Sequence, residues 1–178
     1  MQARRSVFIS ATTRGFAPWR KVISEVLQAQ EVQPREETWF QPEREVIQAH
    51  IEAAIRSVTG VICLVGPYYG HPSDKTFDGG RPLSYTQCEW FWATKHDKPR
   101  LVYVIEDSFF GEKGIESEED PRLPDSSRFR EWQVKFRQSI KADEKKRPHW
   151  CIGSPAELGI RLAMINWRKW PDERRQCD

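Results

Sequence analysis

The sequence lacks a long apolar run, a strong net charge and closely spaced cysteines, and each absence disfavours a class of protein. No stretch approaches the roughly 18 apolar residues of a membrane-spanning helix. The formal net charge of +2 over 178 residues is too small to predict a nucleic-acid partner. The four cysteines include no CxxC pair, which disfavours a zinc site and a disulfide scaffold. Reduced cysteines, and a start without the apolar stretch of a signal peptide, predict a cytoplasmic protein with no membrane partner.

Several motifs that carry catalytic chemistry are also missing. The sequence contains no G-x-G-x-x-G and no P-loop, which disfavours redox use of NAD and hydrolysis of nucleoside triphosphates. It has no G-x-S-x-G and no Ser-His-Asp order, so acyl transfer has no support. His71, His96 and His149 have no ligand spacing, and no metal is predicted.

Short apolar runs alternate with helical stripes along the chain. Because strand and helix alternate five times, we expect an α/β fold, a flavodoxin-like three-layer sandwich with a five-stranded parallel sheet. Pro34 makes the second strand an edge strand or an irregular one. We expect one domain over residues 1–170, a charged flexible tail over 171–178 that would suit a linker, and a long loop over 67–83. Strands are predicted at 6–10, 32–38, 60–66, 100–105 and 150–152. Helices begin near Pro18, Glu43, Ser84, Phe129 and Ser154, and the last of them is predicted to end near Trp167.

The helix that begins at Ser84 carries a carboxylate on its apolar face. Tyr85, Cys88, Glu89 and Trp92 have the spacing i, i+3, i+4 and i+7, so they share one side of the helix. A Glu among aromatic rings is costly unless its charge is paired or used. Glu89 is therefore the first candidate for a functional residue, and the alternative is a carboxylate that faces solvent.

A loop of small polar residues follows the first strand. Ser10, Thr12, Thr13 and Arg14 lie where the carboxyl end of that strand meets the next helix. Hydroxyl groups and backbone N–H groups at a helix N-terminus suit phosphate, and Arg14 suits a pyrophosphate. An ordinary solvent-exposed loop is the alternative.

Aromatic residues follow two other predicted strands. Trp39 and Phe40 are adjacent in a loop, which favours contact of one ring with a ligand or a partner over burial of both. Tyr68, Tyr69 and Gly70, at the end of the central strand, would close a pocket by stacking on a ligand or pack within their loop. Ser84 opens a capping box with Gln87, so capping is a stronger prediction for Ser84 than ligand contact. Cys63 and Cys151 lie in apolar runs and are predicted to be buried.

Four short motifs occur in a fixed order and carry a family resemblance. They are Val7-Phe8-Ile9-Ser10-Ala11-Thr12, Gly66-Pro67-Tyr68-Tyr69-Gly70, Ser84-Tyr85-Thr86-Gln87-Cys88-Glu89-Trp90 and Lys98-Pro99-Arg100-Leu101-Val102. Together they resemble the TIR-like (Toll/interleukin-1 receptor-like) domains of bacterial defence and signalling proteins, whose first strand reads FISST. The resemblance covers roughly residues 6–106.

This resemblance implies a flavodoxin-like fold and an activity. Many TIR-like domains hydrolyse or cyclise NAD+ at the nicotinamide–ribose bond, with NAD+ as substrate and without a further cofactor. Their catalytic glutamate follows a Thr or Pro by three residues on the third helix, which corresponds here to Thr86 and Glu89. The chain departs from the family at Gly15 and Gln87, where acidic residues are common.

Three functions follow as hypotheses. The first is an NAD+ hydrolase or cyclase, an effector or signal generator that oligomerisation activates through contact with its own copies or other TIR-like domains. The second is a non-catalytic interaction domain that would use Trp39 and Phe40 as a contact surface. The third is an N-glycoside transferase that acts on nucleosides, since such enzymes use a similar sheet and a similar glutamate. The Arg14 loop favours a dinucleotide over a nucleoside.

Overall fold

The computed structural model describes residues 5–12, 15–36, 44–77, 81–110, 126–142 and 149–171. Strands and helices alternate as the sequence predicts, except over residues 60–84, where three strands follow one another. In chain order they are β1 (Ser6–Ser10), α1 (Ala17–Ala29), β2 (Gln33–Arg35), α2 (Arg44–Ser57), β3 (Gly60–Val65), β4 (Pro72–Phe77), β5 (Arg81–Ser84), α3 (Tyr85–Lys95), β6 (Arg100–Ile105), a short 3-10 helix (Asp107–Phe110), α4 (Ser126–Ala142), β7 (His149–Ile152) and α5 (Pro155–Ala163).

Five of these strands form one parallel sheet, which confirms the predicted fold class. The strand order is β2-β1-β3-β6-β7, and every pairing in the sheet is parallel. This is the flavodoxin-like order, in which the chain moves outward from β1 to β2 and then returns to the other side of β1. The carboxyl ends of β1 and β3 therefore flank the point where the direction of winding reverses.

Helices cover both faces of the sheet because its central strands are apolar on both sides. In β1, Val7 and Ile9 point to the face covered by α1 and α5, whereas Phe8 points to the face covered by α2 and α3. Helix α4 covers the second face further along, where Ile140 packs with Val65 of β3 and with residues of β6. The last residue of β1, Ser10, pairs in register with Cys63 of β3.

The structure differs from the sequence-based prediction between residues 67 and 83. This segment was expected to be a loop, but it contains the antiparallel pair β4 and β5. Strand β4 has the sequence Pro-Ser-Asp-Lys-Thr-Phe, whose polar residues give no apolar alternation of the kind that marks a half-buried strand. The second sheet strand is also shorter than predicted, although Pro34 does lie in an edge strand.

Two further predictions near the C-terminal end are wrong. The last helix ends at Ala163 rather than near Trp167. Cys151 is exposed, whereas Cys63 is buried as predicted. Cys151 is exposed because β7 is an edge strand whose successive side chains point to opposite faces of the sheet. Ile152 points to the covered face and is buried, whereas Cys151 points to the open one.

Gly60 lies where a larger side chain has no room, and its replacement tests the packing of β3. A methyl group there would overlap the Trp170 ring and lie 2.9 Å from the Pro99 carbonyl oxygen. We expect Gly60→Ala to lower the free energy of unfolding by about 1–3 kcal/mol in urea titrations, the usual cost of overpacking. Gly153→Ala is the control, because its methyl group would meet Glu106 at an ordinary 3.4 Å. Equal stability of the two variants would contradict this packing.

Candidate functional site

Glu89 is buried and hydrogen-bonded to the end of the first strand. The Ser10 hydroxyl donates to Glu89 Oε2 at 2.6 Å, the length of a charge-assisted O–H···O bond. Only 7% of Glu89 and 1% of Ser10 is exposed. The alternative of a carboxylate that faces solvent is therefore wrong, and two of the predicted site residues lie in direct contact.

The start of helix α3 determines which way Glu89 points. Ser84 caps the helix, since its hydroxyl accepts a hydrogen bond from the Gln87 backbone N–H at 3.2 Å. The predicted capping role of Ser84 is thus confirmed. From this start, Cys88, Glu89 and Trp92 fall on the buried side of the helix, as their spacing predicts.

The contact between Ser10 and Glu89 lies at the reversal point of the sheet. Ser10 is the last residue of β1, and its register partner Cys63 belongs to β3, the strand on the far side of that reversal. In open α/β sheets, ligands bind in the crevice beyond the carboxyl ends of the strands at this point. Position and chemistry therefore both favour this place as a ligand site.

Thr12 adds a second hydroxyl at the same edge. It is buried, and among the described residues its Oγ1 has no hydrogen-bond partner. A methyl group at Gly70 would lie 3.0 Å from Thr12 Cγ2 and 3.9 Å from Ser84 Cβ, so Thr12, Gly70 and Ser84 meet here. The backbone of Gly70 has a φ of +82°, which favours glycine. Because buried polar groups are normally paired, Thr12 Oγ1 is a candidate ligand contact.

Tyr69 packs within the protein, which is the alternative that the sequence left open. Its hydroxyl donates to the Pro82 carbonyl, and its ring centroid lies 4.9 Å from that of Phe129. Burial raises the pKa of Tyr69 above its ordinary value, against the opposing effect of the Arg81 guanidinium. The neighbouring Tyr68 is only half-buried, so it offers the more accessible ring.

A chain of buried amides connects α3, α4 and the end of β3. Gln87 Nε2 donates to Gln133 Oε1 at 3.2 Å, and Gln133 Nε2 donates to the Gly66 carbonyl at 2.7 Å. The direction is fixed because a carbonyl can only accept. Sequence reasoning missed Gln133, which is 46 residues from Gln87 and has no local pattern that marks it.

Three predicted ligand contacts lie outside the described residues. These are Arg14, Trp39 and Phe40. Their roles in binding a pyrophosphate, a ring or a partner stay predictions.

The Cys63 thiol, beside the site, is held in its neutral form. Burial raises the pKa of Cys63 to about 12, with the Arg100 guanidinium acting against this shift and the Glu89 carboxylate adding to it. The Cys88 Sγ lies 3.2 Å from the Ser73 hydroxyl, and both atoms are buried. A neutral buried thiol is a poor nucleophile, so Cys63 is not a candidate nucleophile here.

Within the described part of the chain, neither a metal centre nor a membrane span is present. No group of three or more His, Cys, Asp or Glu side chains in these residues could hold a metal ion. The helices described are too short or too polar to cross a bilayer.

A known family model matches most of the chain. Residues 6–163 match the model of a family described as "Domain of unknown function (DUF4062)". The matched region runs from the first residue of β1 to the last residue of α5. None of the curated proteins matches the chain. The family description carries no activity, so the TIR-like resemblance of the four motifs stays a prediction.

The Ser10–Glu89 hydrogen bond should contribute measurably to stability. Ser10→Ala leaves a buried carboxylate without this donor, so we expect the free energy of unfolding at pH 7 to fall by about 2 kcal/mol. Ser24 offers a matched control, because it donates to Glu36 at the same 2.6 Å but on the exposed surface. Ser24→Ala should cost less than about 1 kcal/mol. Equal losses of unfolding free energy for Ser10→Ala and Ser24→Ala in urea titrations would show that burial does not strengthen the Ser10 hydrogen bond.

The cysteines should differ in reactivity with iodoacetamide at pH 8. In the folded protein, Cys151 should react because it is exposed, whereas Cys63 and Cys88 should react only after unfolding. Peptide mass spectrometry separates these sites from Cys177. Fast labelling of Cys63 in the native protein would contradict its buried, neutral state.

Proposed function

The chain belongs to the DUF4062 family, whose function is unknown, and from its site we propose that it is a TIR-like enzyme that cleaves NAD+ at the nicotinamide–ribose bond. In this proposal Glu89 is the catalytic residue, and the domain acts as an effector or signal generator that self-association activates. The observation that carries the proposal is the buried Glu89 carboxylate, held at 2.6 Å by Ser10 at the reversal point of the sheet.

The reaction requires a carboxylate more than it requires an acid. As the bond between the nicotinamide nitrogen and the anomeric carbon breaks, the nitrogen takes the electron pair and nicotinamide leaves as a neutral molecule. Positive charge then develops on the ribose, and a carboxylate beside the ring stabilises it. Water adds to the anomeric carbon and releases a proton, which gives ADP-ribose; attack by the adenine ring of the same molecule gives a cyclic product instead.

Burial makes Glu89 suitable for this role. Charges interact more strongly in a protein interior than in water, because the effective dielectric constant is lower. The Ser10 hydroxyl stands on a central strand of the sheet, so the carboxylate orientation is set before substrate arrives. Electrostatic stabilisation of this preorganised kind supplies a large part of the rate enhancement in many enzymes.

A non-catalytic interaction domain is the second candidate, and one observation favours it. Ile160 on α5 and Met164, the residue directly after that helix, are four positions apart and are 64% and 81% exposed, which is unusual for large apolar side chains. A nucleoside N-glycoside transferase would use the same carboxylate but release a free base other than nicotinamide. Product analysis separates this third possibility from NAD+ cleavage.

The test is release of nicotinamide from NAD+ by concentrated protein, with and without a crowding agent that promotes association. We expect release by the wild type and a loss of roughly 100-fold or more in Glu89→Gln, which keeps the shape of the side chain but removes its charge. Glu25→Gln is the matched control, because Glu25 is exposed on α1 and paired with Lys21. Its activity should equal that of the wild type.

Two outcomes would contradict the proposal. The first is no release from a folded and associated wild-type protein, which would favour the interaction domain. The second is equal release by the wild type and Glu89→Gln, which would show that Glu89 has no catalytic role. Circular dichroism of each variant ensures that folded proteins are compared.

A further inference from the structure

Three aromatic rings form a cluster at the carboxyl edge of the sheet, which we call the aromatic shelf (Phe16, Tyr68 and Phe110). The ring centroid of Phe110 lies 5.6 Å from that of Phe16 and 5.2 Å from that of Tyr68. Phe16 is fully buried, whereas Tyr68 and Phe110 are half-buried. The shelf therefore has a buried base and two rings with accessible surface.

The shelf lies over the ends of β1 and β3, although Phe110 follows β6 in the chain. A methyl group at Gly66, directly after β3, would lie 3.4 Å from Phe110 Cζ and 2.5 Å from Phe16 Cζ. One at Gly15 would lie 3.0 Å from Phe110 Cε1 and 3.6 Å from Tyr68 Cε2. The rings thus pack directly on backbone at the reversal point of the sheet, where α/β folds bind their ligands.

The same two chain segments carry the shelf and the surroundings of Glu89. On the first segment, Ser10 contacts Glu89 and Gly15 lies against the shelf. The two residues are five positions apart in the chain, a span of at most about 18 Å. Thr12, with its unpaired buried Oγ1, lies between them. On the second segment, Gly66 touches the shelf and Gly70 touches Thr12.

We propose that the aromatic shelf binds the purine base of a dinucleotide whose other end lies at Glu89. This inference rests on the proposed function, in which the nicotinamide ribose lies beside Glu89. A dinucleotide carries a second flat ring at its far end, and half-buried aromatic rings are the side chains on which bases stack. Between the two ends, the Thr12 hydroxyl can bond the sugar–phosphate part of the same ligand.

Phe109 provides a matched control on the same 3-10 helix. It is 36% exposed, and its ring packs edge-on against Trp19 at 4.9 Å. No methyl group placed at Gly15 or Gly66 would have Phe109 among its nearest neighbours, in contrast to Phe110. The Phe109 ring also meets Phe110 edge-on, with centroids 5.2 Å apart. Phe109→Leu therefore removes one side contact of the shelf but leaves its three rings and their contacts with Gly15 and Gly66 in place.

The first test is calorimetric titration with AMP, which carries the purine base but no nicotinamide. We expect the wild-type protein to bind AMP, Phe110→Leu and Tyr68→Leu to bind it about tenfold more weakly, and Phe109→Leu to bind it like the wild type. The two shelf variants change different rings, so if one of them fails to fold, the other still tests whether the shelf binds AMP. No binding by the wild type, or equal binding by all variants, would overturn the inference.

The second test compares NAD+ with nicotinamide mononucleotide, which lacks the adenylate part. Phe110→Leu should raise the KM for NAD+ about tenfold and leave the KM for the mononucleotide unchanged. An equal change for both substrates would overturn the role of the shelf. If the wild type cleaves neither substrate, the proposed function fails, and AMP binding then decides the shelf by itself.

Discussion

A carboxylate can be buried only where donors compensate for the lost water, and this requirement governs the arrangement around Glu89. One donor is the Ser10 hydroxyl, which reaches Glu89 because β1 is a central strand and ends at Ser10. The other half of the contact depends on where α3 begins, and that is set by the Ser84 cap. A shift of either element by one residue would turn the carboxylate or the hydroxyl away.

The parts of the site that sequence reasoning found are those with a local pattern. Helical spacing placed Glu89 on the buried side of α3, and a capping box identified Ser84. Alternating apolar runs gave the five-stranded sheet. In each case the physical cause acts between neighbours in the chain, through the periodicity of strand and helix or through capping of free N–H groups.

The parts that it missed depend on contacts between distant segments or on polar residues. Gln133 belongs to the site only because α4 packs beside α3 and lets its amide reach the Gly66 carbonyl. Strand β4 is polar, so its sequence has no apolar alternation that would predict a strand. Cys151 lies in an apolar run that predicts burial, but it is exposed because β7 is at the edge of the sheet. The sequence cannot distinguish Tyr68 from Tyr69, because both are tyrosines at the end of the same strand. In the fold, Tyr69 is buried and packs against Phe129, whereas Tyr68 is half-buried.

Pro34 has a consequence for how copies of this domain can meet. It lies in β2, which has three residues and forms one edge of the sheet. An exposed edge strand with free N–H groups can pair with a strand from another molecule and so begin aggregation. A proline has no N–H to offer, and a three-residue strand gives little template. Strand pairing through β2 is therefore disfavoured, whereas β7, the other edge strand of the sheet, has four residues and no proline.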